Sequence, residues 1–172
     1  MTDHSATRLQ QGLGIEIPRW YITFLDDIPS ELKTTRNSPT EPAQVPADDR
    51  LFLNAERIIH VNVDLWSDHE TPWMADGRPW PAHYLVIGED GGGNFAVIDL
   101  ANDERIWWYD HDAGEGTLRE IAPNISTYAQ DLIAEFQRDH DAEVLKIAMR
   151  QERQERKRVD RQGKLRRGGP TG

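Results

Sequence analysis

Three consecutive glycines, Gly91, Gly92 and Gly93, lie between two apolar runs in the stretch GEDGGGNFAVIDL. Glycine-rich turns bind phosphate groups when the chain continues as a helix, as in P-loops and dinucleotide-binding folds. No lysine or serine follows these glycines, and the next residues, NFAVIDL, are typical of a strand. Their backbone N–H groups would therefore join a β-ladder. We predict a structural hairpin turn in which at least one glycine has a positive φ.

Histidine and carboxylate side chains cluster twice, in DLWSDHE and in WYDHD. Together they could hold a divalent ion, but neither cluster has the spacing of a known ligand motif. A calcium-binding EF-hand loop that opens at Asp110 would need a glutamate at position 121, where the chain has Ile121. The absence of cysteine excludes disulfides and thiolate chemistry, and no G-x-S-x-G elbow is present. We therefore predict no metal, no cofactor and no enzymatic activity.

Six tryptophans occur in the chain, and three of them, Trp66, Trp73 and Trp80, lie in or beside a long loop. Aromatic side chains are frequent anchors of protein interfaces, and here acidic side chains flank them. The alternative, that these tryptophans fold back on the core, fits the sequence equally well. Trp107 and Trp108 are adjacent on a predicted strand, so their side chains point to opposite faces. The residues predicted to bind a partner are Asp64, Trp66, Asp68, Glu70, Trp73, Glu89, Asp90, Asp110, Asp112 and Glu115.

Charge is distributed unevenly along the 172 residues, whose formal net charge is −10. Residues 146–172 contain ten Lys or Arg and three Asp or Glu, so they carry +7, and the rest of the chain carries −17. An acidic body attracts basic proteins and repels nucleic acid, whereas the basic tail does the reverse. No apolar run approaches the roughly 18 residues of a membrane span. The N-terminus also lacks a signal-peptide pattern, so we expect a cytoplasmic protein without a membrane partner.

The hydrophobic pattern predicts helices on either side, in sequence, of a small sheet. A helix begins near Pro18, and a Pro-rich loop follows over 33–49. The run LFLNAERIIHVNVDLW starts as a short strand and continues as a helix from Asn54. Three antiparallel strands are predicted in HYLVIG, NFAVIDL and RIWWYD. A loop, HDAGEGTLREIAP, then leads to a helix that begins at about Ser126 and is capped by Ser126 or Asn124.

These elements predict one α+β domain over 1–145, with a mainly antiparallel sheet packed by helices. Residues 146–172 are predicted to form a basic extension. Its first half prolongs the last helix, with Glu/Arg pairs on the helix surface. Its second half is rich in glycine and arginine and has little to bury, so we expect it to be disordered and dispensable for the fold.

The stretch WPAHYLVIGEDGGGNFAVIDL, followed by RIWWYDHD and IAPNISTYAQDLI, resembles the SUKH superfamily, and in particular its Smi/Knr-type domain. The N-terminal LGIEIPRWYITFL is similar to the opening helix of that family. The chain departs from the family pattern at DDIPS, where an Asn-Gly-type helix end is common, and in the Pro-rich insert that follows. The resemblance implies a single α+β domain that functions by binding.

Bacterial members of that family are mostly immunity proteins that neutralise a toxin, often a nuclease or deaminase, and fungal members are regulators that scaffold cell-wall signalling. The resemblance therefore implies an immunity protein whose partner is a cognate toxin. The acidic body favours a basic toxin that acts on nucleic acid, since an acidic inhibitor can mimic phosphates. One alternative is a regulatory or scaffolding module without a toxin. Another is an enzyme that uses Asp68, Asp110 and His111.

Overall fold

A computed structural model describes residues 3–33, 36–38, 41–45, 49–102, 104–111 and 117–167 of the chain. Helices and strands occupy most of this described part. In chain order they are α1 (Asp3–Leu13), α2 (Arg19–Asp26), α3 (Ser30–Lys33), β1 (Arg36–Ser38), β2 (Glu41–Val45), α4 (Ala55–Ser67), β3 (Tyr84–Glu89), β4 (Phe95–Asp99), β5 (Ile106–Asp110), β6 (Thr117–Ala122) and α5 (Ile125–Arg167).

The sheet has the strand order β3-β4-β5-β6, and all neighbouring strands are antiparallel. The predicted three-stranded meander is therefore confirmed, as is the α+β class. The fourth strand, β6, lies where the sequence predicts a loop, so the prediction is wrong at these residues. It was missed because Arg119 and Glu120 interrupt its apolar pattern, and only Ala122 is fully buried. An edge strand needs less apolar surface than a central one, so its sequence signal is weak.

Both faces of the sheet are covered, since every residue of β4 is buried. Alternation along a strand places Phe95 on one face and Ala96 on the other. Phe95 and Tyr109 stack on the first face, where the loop after α4 covers them. On the second face α5 packs through Tyr128, Ala129 and Leu132, which belong to the core. This arrangement leaves one domain around one core.

The free edge of β3 is covered by the chain segment that precedes α4. The N–H of Phe52 donates to the carbonyl of Ile87, and the N–H of Glu89 donates to the carbonyl of Asp49, each at 2.7 Å. The short strand predicted before Asn54 is thus a stretch hydrogen-bonded to β3, although it is not a regular strand. The helix predicted from Asn54 is α4, and Asn54 caps it, since its side chain accepts the N–H of Arg57 at 2.8 Å.

Four elements that precede α4 were not predicted from the sequence, namely α1, α3, β1 and β2. Helix α1 was not predicted, because it offers few large apolar side chains at helical spacing; it is held by the buried Leu9 and Leu13. Within 33–49, which the sequence predicts as a loop, β1 and β2 form a two-stranded antiparallel ladder. The prolines in this range interrupt the alternation of polar and apolar residues from which a strand is predicted. Helix α2 begins one residue after Pro18, as predicted.

Helix α5 continues into the basic extension and is described as far as Arg167. Ion pairs between side chains three or four residues apart support the part that follows the body. Arg156 pairs with Glu152, and Arg158 pairs with Glu155. Arginine, lysine, glutamate and glutamine are good helix formers, which outweighs one glycine at 163. Residues 168–172 lie outside the described part.

Tyr21 and Tyr109, both in the core, differ in the hydrogen bonds of their hydroxyls, which gives a matched test. Tyr21 is fully buried and its hydroxyl has no partner among the described residues, and burial raises the pKa of that hydroxyl. The Tyr109 hydroxyl donates to the carbonyl of Trp73 at 2.5 Å. We expect Tyr21→Phe to leave the free energy of unfolding unchanged or raise it by up to about 1 kcal/mol, and Tyr109→Phe to lower it by about 1 kcal/mol.

Urea unfolding of both variants measures this difference. An equal loss of stability in the two variants would mean that the Tyr21 hydroxyl does have a partner, and would contradict the assignment.

Candidate partner-binding site

The glycine turn joins β3 to β4 and is organised by the carboxylate of Asp90. That carboxylate accepts the N–H of Gly92 at 2.7 Å and the side-chain amide of Asn94 at 2.7 Å. Burial alone would raise the pKa of Asp90, but the hydrogen bonds from Asn94 and Gly92 outweigh it and lower the pKa. Gly91 has a φ of 76° and Gly93 a φ of 94°, which confirms the predicted positive-φ turn. The middle glycine, Gly92, does not have a positive φ.

The same turn fixes the end of β5. The side-chain oxygen of Asn94 accepts the backbone N–H of His111 at 3.0 Å, and the ring nitrogen Nδ1 of His111 lies 3.0 Å from that oxygen. The predicted candidates Asp90 and Asp110 therefore lie at the same end of the sheet. The candidates Asp112 and Glu115 lie outside the described residues.

An open groove begins beside this turn and runs between α5 and the sheet, with a volume of about 400 Å³. Trp108 of β5 is half-buried in it, and its neighbour on β6 is Arg119. Acidic side chains come from the hairpin turn and from α5. The residues that line the groove are Arg50, Asp90, Trp108, Arg119, Ile121, Tyr128, Asp131, Leu132 and Glu135.

Two contacts hold the wall of the groove in place. The hydroxyl of Tyr128 donates to the carbonyl of Arg50 at 2.8 Å. The guanidinium of Arg50 donates to the carboxylate of Glu135 at 2.8 Å. Asp131 and Arg119, by contrast, are exposed and form no ion pair with any described residue. The groove thus combines a fixed aromatic surface with charges that a partner could pair.

The other predicted candidates lie in the loop after α4, where Asp68 serves the structure of the chain. Its Oδ1 accepts the backbone N–H groups of Glu70 and Thr71, and its Oδ2 accepts the indole N–H of Trp73. The side chain and the backbone of Thr71 are the main causes that lower the pKa of Asp68. Glu70 contributes its backbone there and exposes its side chain. Asp64 is exposed and lies 3.5 Å from Nδ1 of His60.

The loop tryptophans fold back on the core, as the alternative interpretation of the sequence allowed. The indole N–H groups of Trp66 and Trp80 donate to the carbonyl of Tyr84, at 3.2 and 3.1 Å. Trp73 is half-buried and lies edge-on to Trp80, with ring centroids 6.2 Å apart. Aromatic pairs at such distances stabilise the fold beyond their buried area. These three side chains hold the loop against the sheet.

Glu89 is also engaged within the chain. It forms an ion pair with Arg57 of α4, close to the start of that helix. Trp66, near the other end of α4, lies at Tyr84, the first residue of β3. Helix α4 therefore runs antiparallel to β3, and the predicted candidates fall into two separate groups. One group is at the glycine turn and the groove, and the other is at the end of α4.

Chemistry that needs a metal cluster has no support in the described part of the chain. No three His, Asp or Glu side chains come together there in an arrangement that could hold a metal ion. The carboxylate of Asp68 in DLWSDHE instead accepts local backbone N–H groups, and His111 is bound to the hairpin turn. None of the described helices, α5 included, is both long and apolar enough to cross a membrane.

Comparison with protein families decides which domain this is. The family model described as SMI1 / KNR4 family (SUKH-1) matches residues 2–131, about three quarters of the chain. The chain belongs to the SMI1 / KNR4 family (SUKH-1). The match ends within α5, so the basic extension of this SUKH-1 chain lies outside it. No curated protein matches the chain.

Several residues of the groove in this SUKH-1 domain were not among the sequence candidates: Arg50, Trp108, Arg119, Tyr128, Asp131 and Glu135. The groove requires β6, which the sequence did not predict, and the packing of α5 against the sheet. Trp108 alone carried a signal, because its position next to Trp107 on a strand indicated that one of the two is available for contact.

Proposed function

We propose that this protein is an immunity protein that binds and neutralises a cognate toxin domain of the nuclease or deaminase type. Three observations support this: membership of the SUKH-1 family, the −17 charge of the body, and the groove with its unpaired Asp131.

The groove is the observation that carries the proposal. A lysine or arginine of the toxin that enters it would contact the ring of half-buried Trp108 and the carboxylates of Asp131 and Asp90. A cation over a tryptophan face is stabilised by the ring quadrupole, and a charge-assisted hydrogen bond adds to this. Arg119 on the opposite wall directs such a cation towards α5. Nuclease and deaminase toxins bind phosphates, so they generally present basic side chains.

The predicted candidates at the end of α4 support association in a different way. The exposed carboxylates of Asp64 and Glu70 do not line the groove, but they add to the negative field of the body. Charges at a rim raise the rate at which partners meet, whereas buried contacts determine how long they stay together. Asp68 is unsuitable as a probe, because changing it would release the loop that it caps.

The test compares Asp131→Lys with Glu70→Lys, two reversals of an exposed acid on the same acidic body. Binding is measured by surface plasmon resonance against the inactivated toxin domain encoded beside this protein. We expect Asp131→Lys to raise the dissociation rate about tenfold or more, since a charged hydrogen bond contributes roughly 1.5–3 kcal/mol. Glu70→Lys should slow association a few-fold and leave dissociation unchanged. In cells, Asp131→Lys should weaken rescue from the toxin more than Glu70→Lys does.

Equal effects of the two reversals on dissociation would place the interface outside the groove. If no toxin domain is encoded nearby, and the purified protein is instead bound by cell-wall or signalling proteins, the scaffolding function replaces the immunity function. Activity that is lost on replacing Asp68, Asp110 or His111 would support an enzyme instead.

A further inference from the structure

The basic residues of the extension lie along one side of α5. At 100° per residue, Lys146, Arg150, Arg153 and Lys157 fall within an arc of about 60° on the helix surface. The sequence continues the same spacing at positions 161 and 164, which are Arg and Lys. We call the side chains of Lys146, Arg150, Arg153 and Lys157 the basic stripe.

The basic stripe is exposed, and most of it is unpaired. Every side chain from Ala148 to Val159 is exposed. Arg150, Arg153 and Lys157 form no ion pair with any residue that the structure describes, and Lys146 lies 3.7 Å from Glu143. The nearby acids Glu152 and Glu155 lie on the other side of the helix, at least about 100° around it, whereas position 160 of the sequence, an Asp, falls beside the stripe by the same spacing. They pair with Arg156 and Arg158, which are outside the stripe.

Distance separates most of the stripe from the packed part of the domain. Phe136 is the last residue of α5 that packs against the core. Arg150 follows it by 14 positions, which is about 21 Å along a helix, and charges in physiological salt are screened beyond about 8 Å. The acidic side chains around the core are therefore screened from Arg150, Arg153 and Lys157, and a polyanion can approach these three from the side.

From this geometry we propose that the basic stripe binds the phosphate backbone of double-stranded DNA, without sequence preference. An α-helix is about 10–12 Å wide and fits the major groove of DNA, which is about 12 Å wide. Residues 146–172 contain no aromatic side chain on which single-stranded bases could stack. The major groove of A-form RNA is too narrow for this helix. Duplex DNA is the polyanion whose groove admits the helix and whose binding needs no aromatic side chain.

A membrane surface fits the extension less well. The exposed apolar side chains Val144, Leu145, Met149 and Val159 lie away from the stripe. The same side of the helix carries Glu152 and Glu155, which anionic headgroups would repel. A helix that lies in a membrane interface has a continuous apolar side without such charges.

The test uses the full chain with two matched double variants of α5, Arg150→Gln/Arg153→Gln and Arg156→Gln/Arg158→Gln. Each removes two positive charges from the same helix, but only the first removes them from the stripe. Binding to a fluorescent duplex of about 20 base pairs is followed by anisotropy between roughly 50 and 200 mM salt. Each phosphate contact contributes about 0.9 to the slope of log affinity against log salt. We expect the stripe variant to lose about 1.8 from that slope, and the control variant to lose less than about 0.5.

Three outcomes would overturn the proposal. The salt slope could fall equally in the two variants, the unaltered protein could fail to bind duplex DNA at 50 mM salt, or it could bind phosphatidylserine vesicles in preference to duplex DNA. Self-association that the stripe variant abolishes in sedimentation would assign the stripe to a second copy. The stripe variant should also retain toxin binding, because none of its changes lies in the groove. Loss of DNA binding is thereby distinguished from failure of the proposed immunity function.

Discussion

Gly88→Ala is expected to lower the free energy of unfolding by about 3 to 5 kcal/mol. A Cβ atom at this position would lie 1.8 Å from the carbonyl oxygen of Arg50, 2.2 Å from its carbonyl carbon and 2.8 Å from the backbone nitrogen of Leu51. All three atoms belong to backbone, so no side-chain rotation relieves the overlap. The segment would have to move away from β3, which costs packing energy and the hydrogen bonds of Phe52 and Glu89.

Gly92→Ala is the matched control, four residues further along the same hairpin. Its Cβ would lie 3.2 Å from Oδ1 of Asp90, an exposed side chain, and Gly92 does not have a positive φ. We expect Gly92→Ala to lower the free energy of unfolding by less than about 1 kcal/mol. Thermal unfolding separates the two, because the loss in Gly88→Ala corresponds to a fall in Tm of roughly 10 °C or more for a chain of this size. Similar Tm values for both variants would show that the 49–52 segment does not press on β3.

The features that could be predicted from sequence are those fixed by neighbours along the chain. The glycine turn, the three strands of the meander and the cap of the last helix depend on spacing within a few residues. Asn124 illustrates this, since its side chain accepts the N–H of Thr127 at 2.8 Å as a helix cap does. The charge of the basic extension and the helical form of its first half also follow from the local sequence.

Features that depend on distant segments could not be predicted in the same way. Gly88 looked like one more glycine before a turn, and only the approach of Arg50, 38 positions earlier, explains it. The groove needs β6, the hairpin and α5 together, so no local pattern indicated Asp131 or Arg119. Aromatic and acidic residues in loops suggested an interface, but Trp73 and Asp68 serve the loop itself.

Asn62 is the second position at which we expect a large effect, because it closes the free edge of β3 from within the core. It is fully buried on α4, at 0% exposure. Its amide nitrogen donates to the carbonyls of Ile58 and Val86, each at 2.8 Å. Its amide oxygen accepts the N–H of Val86, also at 2.8 Å. The side chain thus pairs both backbone groups of Val86, as a neighbouring strand would.

Asn62→Ala should lower the free energy of unfolding by roughly 3 to 5 kcal/mol. Both polar groups of Val86 would lose their partner while still buried, and each such loss costs about 1–3 kcal/mol. A cavity adds to that cost. Asn54→Ala is the comparison, because it removes only an exposed helix cap, and it should lower the free energy of unfolding by about 1 kcal/mol. A loss at Asn62 no larger than at Asn54 would contradict the edge-closing role.

Asn62→Asp and Asn54→Asp should differ in the sign of their pH dependence. Burial beside two carbonyl oxygens raises the pKa of the carboxyl in N62D above the unfolded value of about 3.9. The folded state then binds more protons than the unfolded one, so stability falls as pH rises from about 4 and levels off above the folded pKa. In N54D the helix N-terminus lowers the pKa of the carboxyl, so stability falls as pH drops below about 4. Urea unfolding of both variants between pH 3 and 8 measures how the free energy of unfolding changes with pH in each. Changes of the same sign in the two variants would show that position 62 is not a buried acceptor–donor site at the edge of the sheet.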